Sequence, residues 1–180
     1  MILYETKYMA LKAAKREGKP DWVYAVRPNA KDVAVILPVI KKEDEDEILF
    51  LITKRPPLIE EGVCEFCVEI PAGLVGDENR NETVEDALKK ELLEETGLIA
   101  DEFIIQNTKV STSGGHTSET STIAIAIITD NKLKKAPVDD GGVIIERVYV
   151  KKSEIKTFLK EKENKGFAIS AQTLAALYYL

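Results

Sequence analysis

The chain has 180 residues and a formal net charge of −6, with 44% of residues hydrophobic and 31% charged. That is ordinary composition for one globular domain with a sizeable core. No basic run exists to release counterions from a phosphate backbone, so neither nucleic acid nor an anionic membrane is expected as a partner, and an acidic protein acting on phosphates must bring its positive charge as metal.

The opening stretch MILYETKYMALKAAKREGKPDW interrupts its apolar residues with lysines and glutamates, which predicts neither a signal peptide nor a membrane span and leaves the cytoplasm as the default location. Leu3, Tyr4, Tyr8, Leu11 and Ala14 form a loose amphipathic pattern that fits a helix or an early strand. Gly18-Lys19-Pro20 breaks it. Trp22 to Arg27 reads as a strand closed by Pro28-Asn29, and Val33 to Ile40 and Ile48 to Thr53 read as two strands around the charged tip KKEDEDE. Lys54-Arg55-Pro56-Pro57 follows a strand end and leads into a polar turn from Leu58 to Gly62. Cys64 and Cys67 have C-x-x-C spacing, but no second cysteine pair or histidine cluster completes four ligands, so VCEFCVEI reads as a strand carrying two reduced cysteines.

Pro71-Ala72-Gly73 then opens a glycine-bearing loop, and a helix of about 13 residues follows, with Thr83 as N-cap, Asp86 completing a capping box and Gly97 just past the end. At about 100° per residue, Val84, Ala87, Leu88 and Leu92 fall on one apolar stripe. Glu91 and Glu95 land inside that stripe and Glu94 at its edge. A solvated acidic helix would put its carboxylates on the opposite face, because burying unpaired charge is costly. Carboxylates at i, i+3 and i+4 raise one another's pKa unless a cation sits among them, which points to a hard, oxygen-seeking divalent metal. Asp77 to Glu82 has the D-x-N-x-N look of a calcium loop, but Glu82 stands where glycine is needed and Leu88 where glutamate is needed.

Beyond the helix, Phe103 to Ile105 and Lys109 to Ser111 are short strand candidates, and the loop STSGGHTSET, Ser111 to Thr120, opens onto an apolar strand from Ser121 to Thr129. His116 is the only histidine and Glu119 the nearby carboxylate, so both are candidate bases; a carboxylate at hydrogen-bond reach suffices where a metal has already activated water. A loop over 137–142 with Asp139 and Asp140 precedes a strand from Val143 to Val150. Ser153 is placed to cap a helix from Glu154 to Lys162, and a last helix from Ser170 to Leu180 is expected to bury Leu174, Leu177 and Tyr178.

Gly76, five residues, Glu82, seven residues, then Lys90-Glu91-Leu92-Leu93-Glu94-Glu95-Thr96-Gly97-Leu98 resembles the Nudix box, G-x5-E-x7-R-E-U-x-E-E-x-G-U with U aliphatic. Lys90 replaces the arginine, keeping its charge without the planar fork. Members that hydrolyse ADP-sugars begin their box at the glycine of a PAG turn, here Gly73, which would make the Gly76 spacing coincidental. Glu69 matches the glutamate of their E-x-P-A-G pattern and would face substrate or support the metal ligands. The loop carrying Glu119 is similar to theirs except that Gly114 stands where they have proline, which bears on the exact sugar.

The resemblance implies an α/β fold with a mixed sheet sandwiched between helices. Residues 1–32 would be an N-terminal strand or helix segment used in dimerisation, and 33–180 the hydrolase domain. It implies hydrolysis of the pyrophosphate bond of a nucleoside diphosphate linked to another moiety, most of all ADP-ribose or a related NDP-sugar. Two or three Mg²⁺, with Mn²⁺ as substitute, would be held by Glu91, Glu95, Glu119 and the carbonyl of Ala72, with Glu94 in support. Glu82 and Lys90 would brace helix against loop. Arg55 would contact substrate phosphate, unless it is simply a surface arginine before a rigid turn. Trp22 would stack on the base across a homodimer interface, unless it packs in a core. A member acting on (d)NTPs or capped nucleotides, and a non-catalytic module that binds nucleotide sugars, are the alternatives.

Overall fold

The computed structural model describes residues 1–130, 134, 136–137 and 143–180. Strands β1 (Ile2–Glu5), β2 (Ala10–Arg16) and β3 (Lys19–Val26) form an antiparallel sheet of their own. The open choice over residues 3–15 therefore resolves as strand. Glu17-Gly18, with Gly18 at φ 66, is the two-residue hairpin loop between β2 and β3. Pro20, which lacks an N–H, lies within β3 at the edge of this sheet.

The second sheet is mixed and holds eight strands among the described residues: β4 (Asp32–Ile40), β5 (Glu47–Thr53), β6 (Cys67–Glu69), β7 (Ala72–Val75), β8 (Glu102–Ser111), β9 (Thr120–Ile128), β10 (Ile144–Lys151) and β11 (Ala168–Ile169). Its order is β11-β6-β5-β4-β9-β8, with β10 on β5 and β7 on β4. β4 runs parallel to β9 and β6 parallel to β11. Helix α2 (Val84–Thr96) covers one face, where Ala87, Leu88 and Leu92 pack on Ala34, Ile36, Leu49 and Ala124. Helices α3 (Ile155–Asn164) and α4 (Ala171–Leu177) cover the other, with Ile155 and Ala176 against Val35, Leu37, Phe50 and Ile123. Both faces of β4 are thus buried, which is why it reads as an unbroken apolar run. No helix among the described residues is long and apolar enough to cross a membrane.

Several local expectations are corrected. The turn after Arg55 is a short helix, α1 (Pro56–Glu60), started by two prolines whose fixed φ suits its first positions. The PAG segment is not a loop from Ala72 onward: Ala72 to Val75 pair with β4 as β7. Of VCEFCVEI only Cys67–Glu69 is strand. The two short pieces after α2 are one strand, β8, interrupted by bulges between Ile105 and Asn107 and between Asn107 and Val110. Ser153 does not cap α3, because Glu45 takes both its N–H (2.7 Å) and its hydroxyl (3.1 Å). Ser170 does cap α4, but that helix buries Thr173 and Ala176, leaving Leu174 52% and Tyr178 85% exposed. Residues 138–142 of the predicted loop with Asp139 and Asp140 lie outside the described residues.

Candidate active site

α2 begins and ends where its cap residues say it should. The Thr83 hydroxyl accepts from Asp86 N–H at 3.1 Å while Thr83 N–H donates back to Asp86 at 3.1 Å, and Gly97 closes the helix at φ 74. This fixes the rotation of the helix and turns Glu91 and Glu95 toward β7. Ala72 N–H donates to Glu95 Oε2 at 3.0 Å. Gly73 lies directly beneath Glu91: a Cβ there would collide with its Cδ and Oε1, so only glycine leaves the carboxylate its place. The Glu91 side chain is 14% exposed, with Lys90 Nζ 3.8 Å away. Burial pushes Glu91 up to about 7, opposed by Lys90 and reinforced by Glu94, Asp77 and Glu82. Burial pushes Glu95 up to about 8, opposed by the Ala72 N–H and reinforced by Glu91. Glu94 is partly buried at the edge.

Two carboxylates one turn apart and largely withdrawn from water form a hard oxygen donor set that fits a divalent cation. The set is incomplete. Among the described residues no three His, Cys, Asp or Glu side chains form a ready metal-holding group. Glu119 stands elsewhere, with Oε2 accepting from Arg27 Nε at 2.6 Å. β4 lies between, facing Gly73 with Ala34 on one side and Thr122 with the same residue on the other. The β7 and β9 backbones are thus two strand spacings, roughly 10 Å, apart.

The remaining predicted residues divide. Arg55 does not point free: its Nε and Nη2 grip Glu69 at 2.6 to 3.1 Å, so the two candidates are one bidentate pair. That bond, with Glu95 adding to it, holds the guanidinium yet more firmly protonated against the cost of burial. Glu82 and Lys90 tie the loop at the start of α2 through separate partners, one within the loop and one from helix to loop. Gly76 N–H donates to Glu82 Oε2 at 2.7 Å, and Lys90 pairs with Glu78 at 2.9 Å. The Gly76–Glu82 spacing is therefore a physical contact and not a coincidence, and Gly76 makes it from φ 85, where other residues are strained. Trp22 is 44% exposed, its Nε1 donating to the Gly115 carbonyl at 2.8 Å and its ring 4.9 Å from the Arg16 guanidinium. It is not a core residue. His116 is exposed, and its carbonyl accepts from Ala25 N–H. Both cysteines are free, and burial pushes the Cys67 thiol up to about 12, which suits an inert residue.

Two arginines escaped the sequence reading. Arg27 holds Glu119, and Arg147 on β10 donates to the Glu95 carbonyl at 2.5 Å, placing a cation at the C-terminal end of α2 where the helix dipole favours one. Neither lies in a local pattern.

A family model described as the NUDIX domain matches residues 30–168. The chain is 33% identical over 146 residues to an uncharacterized Nudix hydrolase of Schizosaccharomyces pombe, a match covering 78% of this chain and 66% of that relative. Among solved structures, that of an ADP compounds hydrolase superposes with a TM-score of 0.65 at 16% identity, covering 99% of this chain and 90% of the other.

Proposed function

The chain belongs to the Nudix hydrolase family, and from that premise we propose that it hydrolyses the pyrophosphate bond of a nucleoside diphosphate linked to another moiety, with ADP-ribose or a related NDP-sugar as substrate. The observation that carries this reading is the pair Glu91 and Glu95, one helical turn apart and buried against Ala72 and Gly73, where burial outweighs the Lys90 and Ala72 N–H contacts and pushes both carboxyls up. Glu91, Glu95 and the Ala72 carbonyl would hold Mg²⁺, or Mn²⁺ in its place, with Glu94 and Glu119 completing the set. When bound, the metal would neutralise the bridging phosphates and make water acidic enough to attack. Glu119 would take the proton of the attacking water as its oxygen bonds to one phosphorus, and the bridging P–O bond would break with its electron pair left on the departing phosphate, giving a nucleoside monophosphate and a phosphorylated second product. Arg55, exchanged from Glu69, supplies a fork for a phosphate oxygen. The fold shared with an ADP compounds hydrolase supports this choice of substrate class.

Residues 1–32 serve as an extension of the hydrolase domain 33–180, and a homodimer completes the site. Support comes from the apolar residues left at the surface of the N-terminal sheet, including Ile2, Leu3, Tyr4, Tyr8, Leu11, Trp22 and Val23. Covering even half of them would contribute about 1.5 to 3 kcal/mol each before ordering costs. Trp22 would then stack on the base across the interface. Light scattering that gives a monomer at micromolar concentration overturns the dimer.

The decisive assay follows phosphate-containing products over a panel of ADP-ribose, other NDP-sugars and dNTPs with Mg²⁺ and Mn²⁺. Preference for a diphosphate sugar is the expected outcome. Preference for dNTPs, or binding of ADP-ribose without turnover, overturns the reading in favour of a triphosphatase or a binding module.

A further inference from the structure

The main sheet forks. β4 and β5 pair through Val39 with Ile48 and Ile40 with Glu47; past that point β4 takes β7 as its neighbour and β5 takes β6. The two halves carry different parts of the candidate site. α2 rests on β4 and β7, whereas Glu69, with Arg55 bonded to it, belongs to β6. Leu51 of β5 pairs with Glu69 on one side and with Arg147 of β10 on the other, so the three share one row and one face of the sheet. Leu49, two residues earlier, packs in the core under α2, which makes this the α2 face. From that row the half-buried Arg147 reaches the Glu95 carbonyl with Nε at 2.5 Å. The carbonyl lies in the last turn of α2, where helix oxygens lack an N–H four residues on, and Leu98 N–H just beyond is taken by the Thr96 hydroxyl. Glu95 is thus held twice: its backbone by Arg147 of β10, and its side chain by Ala72 N–H of β7 at 3.0 Å.

We propose that Arg147 is a positioning residue for the reaction: by taking the Glu95 carbonyl from β10, it fixes the carboxylate-bearing last turn of α2 relative to the half of the sheet that carries Arg55 and Glu69. The tie deepens the hydrolytic reading and rests on it for the roles of Glu95 and Arg55. Across the fork the halves are joined by the short run Ile70-Pro71 and, at the helix, by this bond. A cap that served stability alone would leave the response to metal untouched. The sign of that response also separates a tie from a charge. By Coulomb attraction alone, removing a cation near carboxylates strengthens their hold on another cation; loosening the turn that carries a ligand weakens it.

The test pairs Mn²⁺ binding, measured by calorimetry on the full chain without substrate, with steady-state kinetics on ADP-ribose. Arg147→Met is expected to weaken Mn²⁺ about tenfold and to lower kcat at saturating Mn²⁺ by about the same factor, with KM for ADP-ribose changed little. Arg147→Lys, which keeps a charged donor, is expected to recover part of both losses. Arg147→Gln takes the place of the methionine variant if that one does not fold, and the same direction is expected of it. Mn²⁺ affinity equal to or tighter than the parent's, in either neutral variant that folds by circular dichroism, overturns the tie whatever its Tm. A loss carried by KM with Mn²⁺ affinity unchanged also overturns it, because that pattern marks a direct contact with substrate. A parent that binds Mn²⁺ but turns over neither ADP-ribose nor another diphosphate sugar removes the hydrolytic reading, while the Mn²⁺ series still decides the tie. A parent that binds no Mn²⁺ overturns both.

Discussion

The α2–β7 corner and the N-terminal sheet are built on opposite terms. At the corner, apolar residues are buried and the carboxylates fixed: Leu88 and Leu92 are inaccessible, Gly73 leaves no slack under Glu91, and Ala72 holds Glu95. In the N-terminal sheet only Ala10, Ala13 and Ala25 are buried, while its larger apolar side chains face outward. The corner needs nothing beyond its own chain to take its shape. The sheet pairs its β3 edge with the loop at Thr117 and leaves its larger apolar residues at the surface. On the proposed function, chemistry falls to the first region and recognition to the second.

The sharpest way to break that division is Glu95→Gln, which removes a charge and almost no volume. Turnover is expected to fall about 100-fold or more with the fold intact by circular dichroism; near-normal activity at saturating Mg²⁺ would detach the corner from the chemistry. Gly73→Ala comes next. Its methyl must displace the Glu91 carboxylate, so a loss of about tenfold to 100-fold in kcat is expected with weaker metal binding, scored by steady-state kinetics over a Mg²⁺ series. On the other side, Trp22→Ala is expected to raise KM about tenfold, the scale of one base–aromatic stack, with kcat changed little. An unaltered KM would deny the sheet its part in recognition.

The smallest effect concerns pH and follows from the raised acids of the corner. Glu91 and Glu95 leave the ordinary value of 4.5 for about 7 and about 8, so between these limits the native state holds protons that the unfolded chain has lost. Stability of the metal-free protein therefore falls as pH rises through that window. Thermal unfolding should show a Tm a few degrees lower at pH 8 than at pH 5, and Mg²⁺ should recover the loss at pH 8. Glu95→Gln should flatten the profile and raise the metal-free Tm at pH 8. A parent Tm that climbs steadily from pH 5 to pH 8 without metal would contradict the burial of these charges.

What the sequence made legible was local. Thr83, Asp86 and Gly97 mark the ends of α2 through contacts no more than four residues apart, and the 3.6-residue period then places Glu91 and Glu95. β4 and β5 announce themselves by apolar runs. Ser153 misled because its partner, Glu45, is 108 positions away. Leu174 and Tyr178 misled because α4 is only seven residues long and turns Thr173 and Ala176 inward. Arg27 and Arg147 gave no sign at all, since an arginine on a strand has no period or spacing to betray a contact 92 or 52 residues distant. The fold was thus readable from periodicity, the carboxylate-bearing helix from its caps, and Glu119 from its loop, while the partners that hold Glu119 and the end of α2 appeared only in tertiary contact.

β4 carries one more consequence. Val35 pairs with Ala72 on one side and Ile123 on the other, and Ala34 likewise joins Gly73 to Thr122. β7 and β9 are both measured from the same few residues, like two pointers mounted on one ruler. A one-residue slip of the ruler would not move one pointer against the other; it would turn every β4 side chain to the wrong face and empty both cores together. The register that spaces β7 from β9 is therefore held by the packing of the whole domain.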